Sequence, residues 1–378
     1  MARRFGVSPG QVAFWVKRAA GRRLDRVDFA DQPPGPRRSP YRVAPMVEQR
    51  VLKLRRSLRE NSVLGEYGAD AIHQAWSGSL PCPSRTTINR VLRRHGVFDA
   101  QARQRYPAPP RGWYLPDVAA GTAELDSFDF IEDLKLVNGP LLSVFTGTSV
   151  HGSLISAWPA TRFTSGDVML RLVERWRQSG LPVYAQFDND TRFQGTPRWP
   201  HSIGWVSRLC LALDVVPVFA PPREPGFQNQ IESLNGLWQS KVWGRWQHRS
   251  LVALQQRSMR YVTEHRLRSA ARVDSAPARR AFPAPWHFDP RAVPRGRLIF
   301  LRRTDATGRL HLLGQNWLAA TYWIHRLVRC EVDLIHHQIA LYALRRRQPA
   351  DQPLLATIPY HRPSLPHEEH DRKLFNDH

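Results

Sequence analysis

Cysteine is scarce in this sequence: Cys82, Cys210 and Cys330 are the only three, far apart and without paired spacing. That excludes a disulfide framework or a cysteine-based zinc site and fits a reducing compartment. Long apolar runs are missing as well, none approaching the ~20 residues of a membrane span. No hydrophobic segment follows the basic pair Arg3-Arg4, so no secretory signal is expected, and a soluble cytoplasmic location is. Negative charge is also in deficit. Asp and Glu number 32 against 55 Lys and Arg, a formal charge of +23. Such a surplus bears on partners rather than fold. It favours a polyanion, in the simplest case nucleic acid, because each neutralised phosphate releases condensed counterions.

What is present excludes a disordered basic tail. Hydrophobic residues make up 42% of the 378 and tryptophan occurs 13 times, enough for real cores in more than one domain. Ser8 and Pro9 open a short amphipathic helix striped by Val12, Trp15 and Val16, with Gln11, Lys17 and Arg18 on its polar side. Phe5 and Gly6 end a helical turn before it, so residues 1–21 read as a partial helix-turn-helix. A Pro- and Arg-rich linker, 22–44, precedes a second helical unit over 45–97. Its last helix runs from Ser84 to a close at Gly96. There Arg85, Thr86 and Asn89 occupy the positions from which recognition helices reach base edges, and Arg90, Arg93 and Arg94 those that meet phosphate.

After an irregular linker, 98–117, the pattern changes. Three strand-like runs come first, Ala123 to Ile131, Leu141 to Gly147 and Ser153 to Ala160. Short strands at Val183 to Phe187 and Val215 to Phe219 then alternate with helices, predicting a mixed α/β domain over 118–275. A linker, 276–295, leads to short strands separated by turns, read as a small β-barrel over 296–346. Residues 347–378 read as a loose tail.

Aspartate is among the poorest strand formers, so two in strand contexts need a reason. Asp126 sits within the first strand of the mixed domain, and Asp188 directly follows the strand ending at Phe187. Glu232 lies one turn into a helix that begins after Pro225-Gly226, between the inward-facing Ile231 and Leu234. Three such carboxylates are hard oxygen ligands suited to two magnesium ions, with manganese as a substitute. Ions held in that way activate a hydroxyl nucleophile and stabilise a leaving oxygen. Asp129 and Asp190 are the neighbouring rivals. Alternation turns Asp129 to the sheet face opposite Asp126, and Asp190 is two residues further from its strand than Asp188.

Leu125-Asp126, the run Phe187-Asp188-Asn189-Asp190-Thr191-Arg192-Phe193, and Ile231-Glu232 on a late helix resemble insertion-sequence DDE transposases of the retroviral-integrase type. The likeness extends to the helix ending at His95-Gly96 and to the strand beginning Phe300-Leu301-Arg302-Arg303. It implies a multidomain α+β chain with N-terminal helix-turn-helix units, a ribonuclease-H-like core and a C-terminal barrel. It also implies magnesium-dependent strand cleavage and transfer, with Asp126, Asp188 and Glu232 as metal ligands. The partners implied are double-stranded DNA, both transposon ends and target, bound by a homo-oligomer. Asp190, Arg192 and Ser233 depart from the family pattern. Those departures leave a second reading, a DNA-binding protein or repressor of transposase descent that no longer cleaves. A third reading is a magnesium nuclease with no end-sequence requirement.

Overall fold

Punctuation by Gly, Ser and Pro sets the first elements. Ala2–Phe5 (α1) stops at Gly6, which takes a φ of 62°. Ser8 and Gln11 cap Pro9–Ala19 (α2) reciprocally, the hydroxyl accepting from Gln11 N and the amide oxygen from Ser8 N. Neither helix buries a residue. The computed structural model describes residues 2–30, 43–97, 110–195, 200–224, 226–290 and 292–363. Parts of the expected linkers, Pro225 and residues 364–378 of the expected tail therefore lie outside the described residues.

Pro45–Asn61 (α3), Ala69–Gln74 (α4) and Arg85–Arg94 (α5) pack through Val51, Ile72, Ile88, Val91 and Leu92. The segment joining α4 to α5 spans residues 75–84, longer than the roughly three- to four-residue turn of a helix-turn-helix. The second unit is thus a three-helix cluster whose last two helices are joined by a longer connection.

Pro116–Ala119 (α6) leads into the sheet. Leu125–Lys135 (β1), Leu141–Ser149 (β2) and Ile155–Ala160 (β3) form an antiparallel meander. Ser165–Ser179 (α7) crosses to Tyr184–Phe187 (β4), parallel to β1. Thr191–Gln194 (α8) and Trp205–Ala212 (α9) precede Val216–Phe219 (β5), parallel to β4. Asn229–Trp238 (α10) runs on into a π-helical turn, Gln239–Trp243, before Leu251–Arg268 (α11) and Ala270–Asp274 (α12).

Arg297–Arg303 (β6) then pairs parallel with β5. Arg309–Leu312 (β7) and Gln315–Leu318 (β8) make a separate hairpin. Leu327–Asp333 (β9), Gln338–Ala343 (β10) and Leu354–Pro359 (β11) complete a nine-stranded mixed sheet, ordered β11-β10-β9-β6-β5-β4-β1-β2-β3. Two expectations are corrected here. The strands after residue 296 extend the central sheet through β6, and among the described residues no pairing closes them into a barrel. Part of the expected tail is β11, tied to β10 from Gln338↔Pro359 onward.

Helices cover both faces of the sheet. On one face Phe128, Phe145, Phe187, Phe219 and Phe300 pack against Trp176 of α7 and Val206 and Leu209 of α9. Gly147, opposite Phe128 on β2, leaves room for that ring, since a Cβ there would stand 2.6 Å from it. On the other face Ile131, Val144 and Ile155 pack against Ile231, Leu234 and Trp238 of α10 and Tyr261 of α11. Residue period two therefore decides, along β1 and β4, which helix each polar side chain meets.

Candidate active site

Asp126 shares the face of Phe128, toward α7, where it is fully buried. Arg175 donates to it through Nε (3.1 Å) and Nη2 (3.3 Å). Arg279 adds Nη1 (3.0 Å) and Nη2 (2.7 Å), and Trp176 Nε1 a bond of 3.1 Å. Burial alone would raise this carboxyl, but the charges and hydrogen bonds of Arg175 and Arg279 hold it well below the usual carboxylate range. With its oxygens saturated by two guanidinium groups and an indole, Asp126 has no lone pair left for a cation. The expectation that it is a metal ligand is corrected: it locks β1 to α7 and to the segment after α12.

Asp129 lies three residues further on and faces α10. Its Oδ2 accepts from Asn235 Nδ2 at 2.9 Å and its Oδ1 from Phe130 N at 2.8 Å. Asn235 is buried and in turn accepts from Thr146 Oγ1 at 2.7 Å. Burial raises the Asp129 carboxyl to about 6, with Asp188 and Glu232 adding like-charge repulsion, against the lowering pull of Phe130 N and Asn235. Asp188 is raised too, by burial first.

Strand register explains the coupling. Ser127 pairs with Gln186 on parallel β4, and two more residues in that register set Asp129 beside Asp188. Both continue the face of Ser127, Tyr184 and Gln186. Glu232 is exposed on α10, one turn before Asn235 on the same side of the helix. The loop entering α10 is pinned to β4: the Tyr114 hydroxyl lies 2.9 Å from Gln186 Oε1 and 3.0 Å from the Phe227 carbonyl. Gln186 Nε2 also donates to that carbonyl at 3.2 Å.

Asp190 is occupied otherwise. It caps α8 by accepting from Arg192 N at 2.7 Å and pairs with the Arg192 guanidinium at 2.6 Å. Arg192 also reaches Glu132 at 2.7 Å. Asp190 N donates to Asp188 Oδ1 at 3.0 Å, which steadies Asp188 from the turn below it.

The donor set at Asp129, Asp188 and Glu232 suits a hard divalent cation: all oxygen, half-buried or exposed, and mutually repelling until positive charge arrives. Among the described residues no group of three such side chains is already gathered tightly enough to hold an ion. Sequence reasoning missed Asn235 and passed over Asp129. The signal for Asp129 was the alternation itself, which puts Asp126 on the α7 face and Asp129 under the helix carrying Glu232.

The candidate DNA-contacting residues divide. Thr86, Asn89, Arg90 and Arg93 are exposed on one side of α5, opposite its buried Ile88, Val91 and Leu92. Arg85 is exposed and pairs with Asp70 at 2.8 Å. Arg94 pairs with the buried Glu48, which His95 also meets at 3.2 Å, so it braces α5 on α3. In α2, Gln11 is spent in the capping box. Arg18 stacks 5.0 Å over Trp15 and donates to the Ala30 carbonyl, leaving Lys17 exposed. Among the described residues no helix is long and apolar enough to cross a membrane.

No protein-family model matches the chain, and no curated protein does. Among solved structures it is similar to a chain of the simian T-cell lymphotropic virus intasome in complex with PP2A regulatory subunit B56 gamma. That match has 15% identity and a TM-score of 0.35, over 79% of this chain and 96% of that one. It is similar to the catalytic core domain of BIV integrase at 14% identity and TM-score 0.28, covering 37% and 81% respectively. The HTLV-2 integrase catalytic core domain in complex with magnesium gives 12% and 0.27, covering 41% and 87%. At such identity and TM-score none of them assigns a role to a residue here.

Proposed function

We propose that the chain is a polynucleotidyl transferase that cleaves and joins DNA strands in the manner of a transposase, with Asp129, Asp188 and Glu232 as its working carboxylates. The observation that carries this reading is the electrostatic coupling of Asp129 to Asp188 and Glu232, with Asp129 and Asp188 each two residues beyond the Ser127↔Gln186 pair of parallel β1 and β4. Magnesium ions (or manganese) held there would activate an attacking hydroxyl and stabilise the leaving 3′-oxygen of a phosphodiester. Asn235 holds Asp129 in one orientation, and the Tyr114, Gln186 and Phe227 lattice fixes α10 over β4. Displacement of the leaving oxygen by water or by a DNA 3′-hydroxyl needs no covalent link to the protein.

The exposed side of α5 supplies sequence contacts through Thr86 and Asn89 and phosphate contacts through Arg90 and Arg93. A homo-oligomer would let two DNA ends meet. The test is strand cleavage and transfer with purified protein, Mg2+ and DNA carrying the sequences that flank its reading frame. Cleavage abolished by EDTA and by Asp129→Asn is expected. Binding of those ends with no cleavage under any divalent cation would favour the repressor reading, and cleavage indifferent to end sequence the nuclease reading.

A further inference from the structure

A cleft of about 510 Å3 opens at the carboxyl ends of the parallel strands, on the α8 side of the sheet. Its floor includes Asn189, the residue after Asp188, and Arg302 near the end of β6. Arg302 is buried, 9% exposed. Its Nη2 donates to Asn189 Oδ1 at 3.1 Å, and its Nη1 to the Leu301 carbonyl at 2.9 Å and, more weakly, the Ala220 carbonyl at 3.5 Å. Among the described residues no carboxylate pairs with it. Burial pulls the guanidinium down to about 10, the direction expected of a charge lacking a counter-ion. A buried cation without an anion is costly, and a cleft beside it is where the anion would enter. Arg303, at the mouth, already has Glu224. His311 and Gln194 line the rim.

Strand register places this site relative to the carboxylates. Phe187 pairs with Phe219 and Phe219 with Phe300, so the backbones of Asp188 and Arg302 end strands two spacings apart along one sheet edge, about 10 Å, with Arg302 on the face of Phe300 and Asp188 turned to the other. At ~3.4 Å of axis per nucleotide, a DNA strand covers that span in about three nucleotides.

We propose that this cleft seats one backbone phosphate of the DNA substrate, with Arg302 as its buried counter-charge, a few nucleotides from the phosphodiester held at Asp129, Asp188 and Glu232. This rests on the DNA-acting reading above. The anchor would fix the strand's register at the carboxylates, and Asn189 would relay its occupancy to Asp188, the residue before it.

The test uses full-length protein in EDTA and a series of short fluorescent DNA duplexes, each with one phosphate replaced by a neutral methylphosphonate. The parent should lose about tenfold in affinity at one phosphate, the size expected for a charge-assisted bond. Arg302→Met should bind the all-phosphate duplex about as weakly and show no further loss at that position. His311→Glu, at the exposed rim, should weaken binding without touching the core, and it decides the matter if Arg302→Met does not fold. Equal sensitivity of parent and Arg302→Met at every phosphate, or an unaltered His311→Glu, overturns the inference while leaving the transferase reading in place. Failure of the parent to bind any duplex overturns that reading itself.

Discussion

Asp126 and Asp129 lie three residues apart on β1 and look out of opposite faces of the sheet. The first is buried under Arg175, Arg279 and Trp176; the second accepts from Asn235 and feels the charges of Asp188 and Glu232. One strand thus carries two carboxylates whose environments push their proton affinities in opposite directions.

Replacing Asp126 should therefore damage the fold before it touches any chemistry. Asp126→Asn leaves Arg175, itself buried, without its counter-charge, and a loss of about 3–5 kcal/mol is expected. Urea denaturation measures it. A variant within about 1 kcal/mol of the parent would contradict the role given to this ion pair.

Asp129 makes the opposite prediction. Its folded pKa, about 6, lies above the unfolded carboxylate value. The stability it lends is thus present below the unfolded pKa (~3.9) and lost as pH rises through about 6. Asp129→Asn should flatten the pH dependence of the melting temperature over that window and leave stability at neutral pH equal or higher. A marked loss at neutral pH would mean that Asp129 is held by contacts other than those described.

Much of this arrangement could be read before any coordinates. The order of β1 to β5 followed from alternation and Glu232 fell on its helix as expected, whereas the one-turn helices α6 and α8 were not foreseen. Asp126 was expected to be a ligand because strand context alone does not say which face of β1 pairs its carboxylate with buried arginines. That depends on Arg175 and Arg279, remote in sequence and unremarkable in their own segments. The barrel failed for a related reason. Short strands with tight turns look alike whether they close on themselves or join an existing edge, and the Phe219↔Phe300 pairing that decides it is long-range. The three-helix cluster was legible as helices, with the span from 75 to 84 between the last two.

Asn235 should act as a positioning residue. Asn235→Ala removes the amide that lowers Asp129, so the acid limb of any activity profile should move to higher pH. Stability should fall by only about 0.5–1.5 kcal/mol, because the Thr146 hydroxyl that loses Asn235 still has the Asp129 carbonyl at 3.0 Å. A lowered rate with an unmoved acid limb would assign Asn235 to packing alone.

On α5, Arg93 and Arg94 are adjacent but should behave differently. Arg90→Ala and Arg93→Ala should each reduce the salt slope of DNA binding by about 1 and leave the melt unchanged. Arg94→Ala should destabilise the three-helix cluster, because Glu48 is buried beneath it. Circular dichroism melts beside salt-dependent binding titrations separate the two behaviours.

Manganese binding, followed by electron paramagnetic resonance on the purified chain, reaches the central assignment without a DNA substrate. Asp129→Asn, Asp188→Asn and Glu232→Gln should each weaken binding about tenfold or more, Asp190→Asn should not, and the parent's affinity should fall as pH drops through about 6. Parent-like binding by Asp129→Asn would contradict the account.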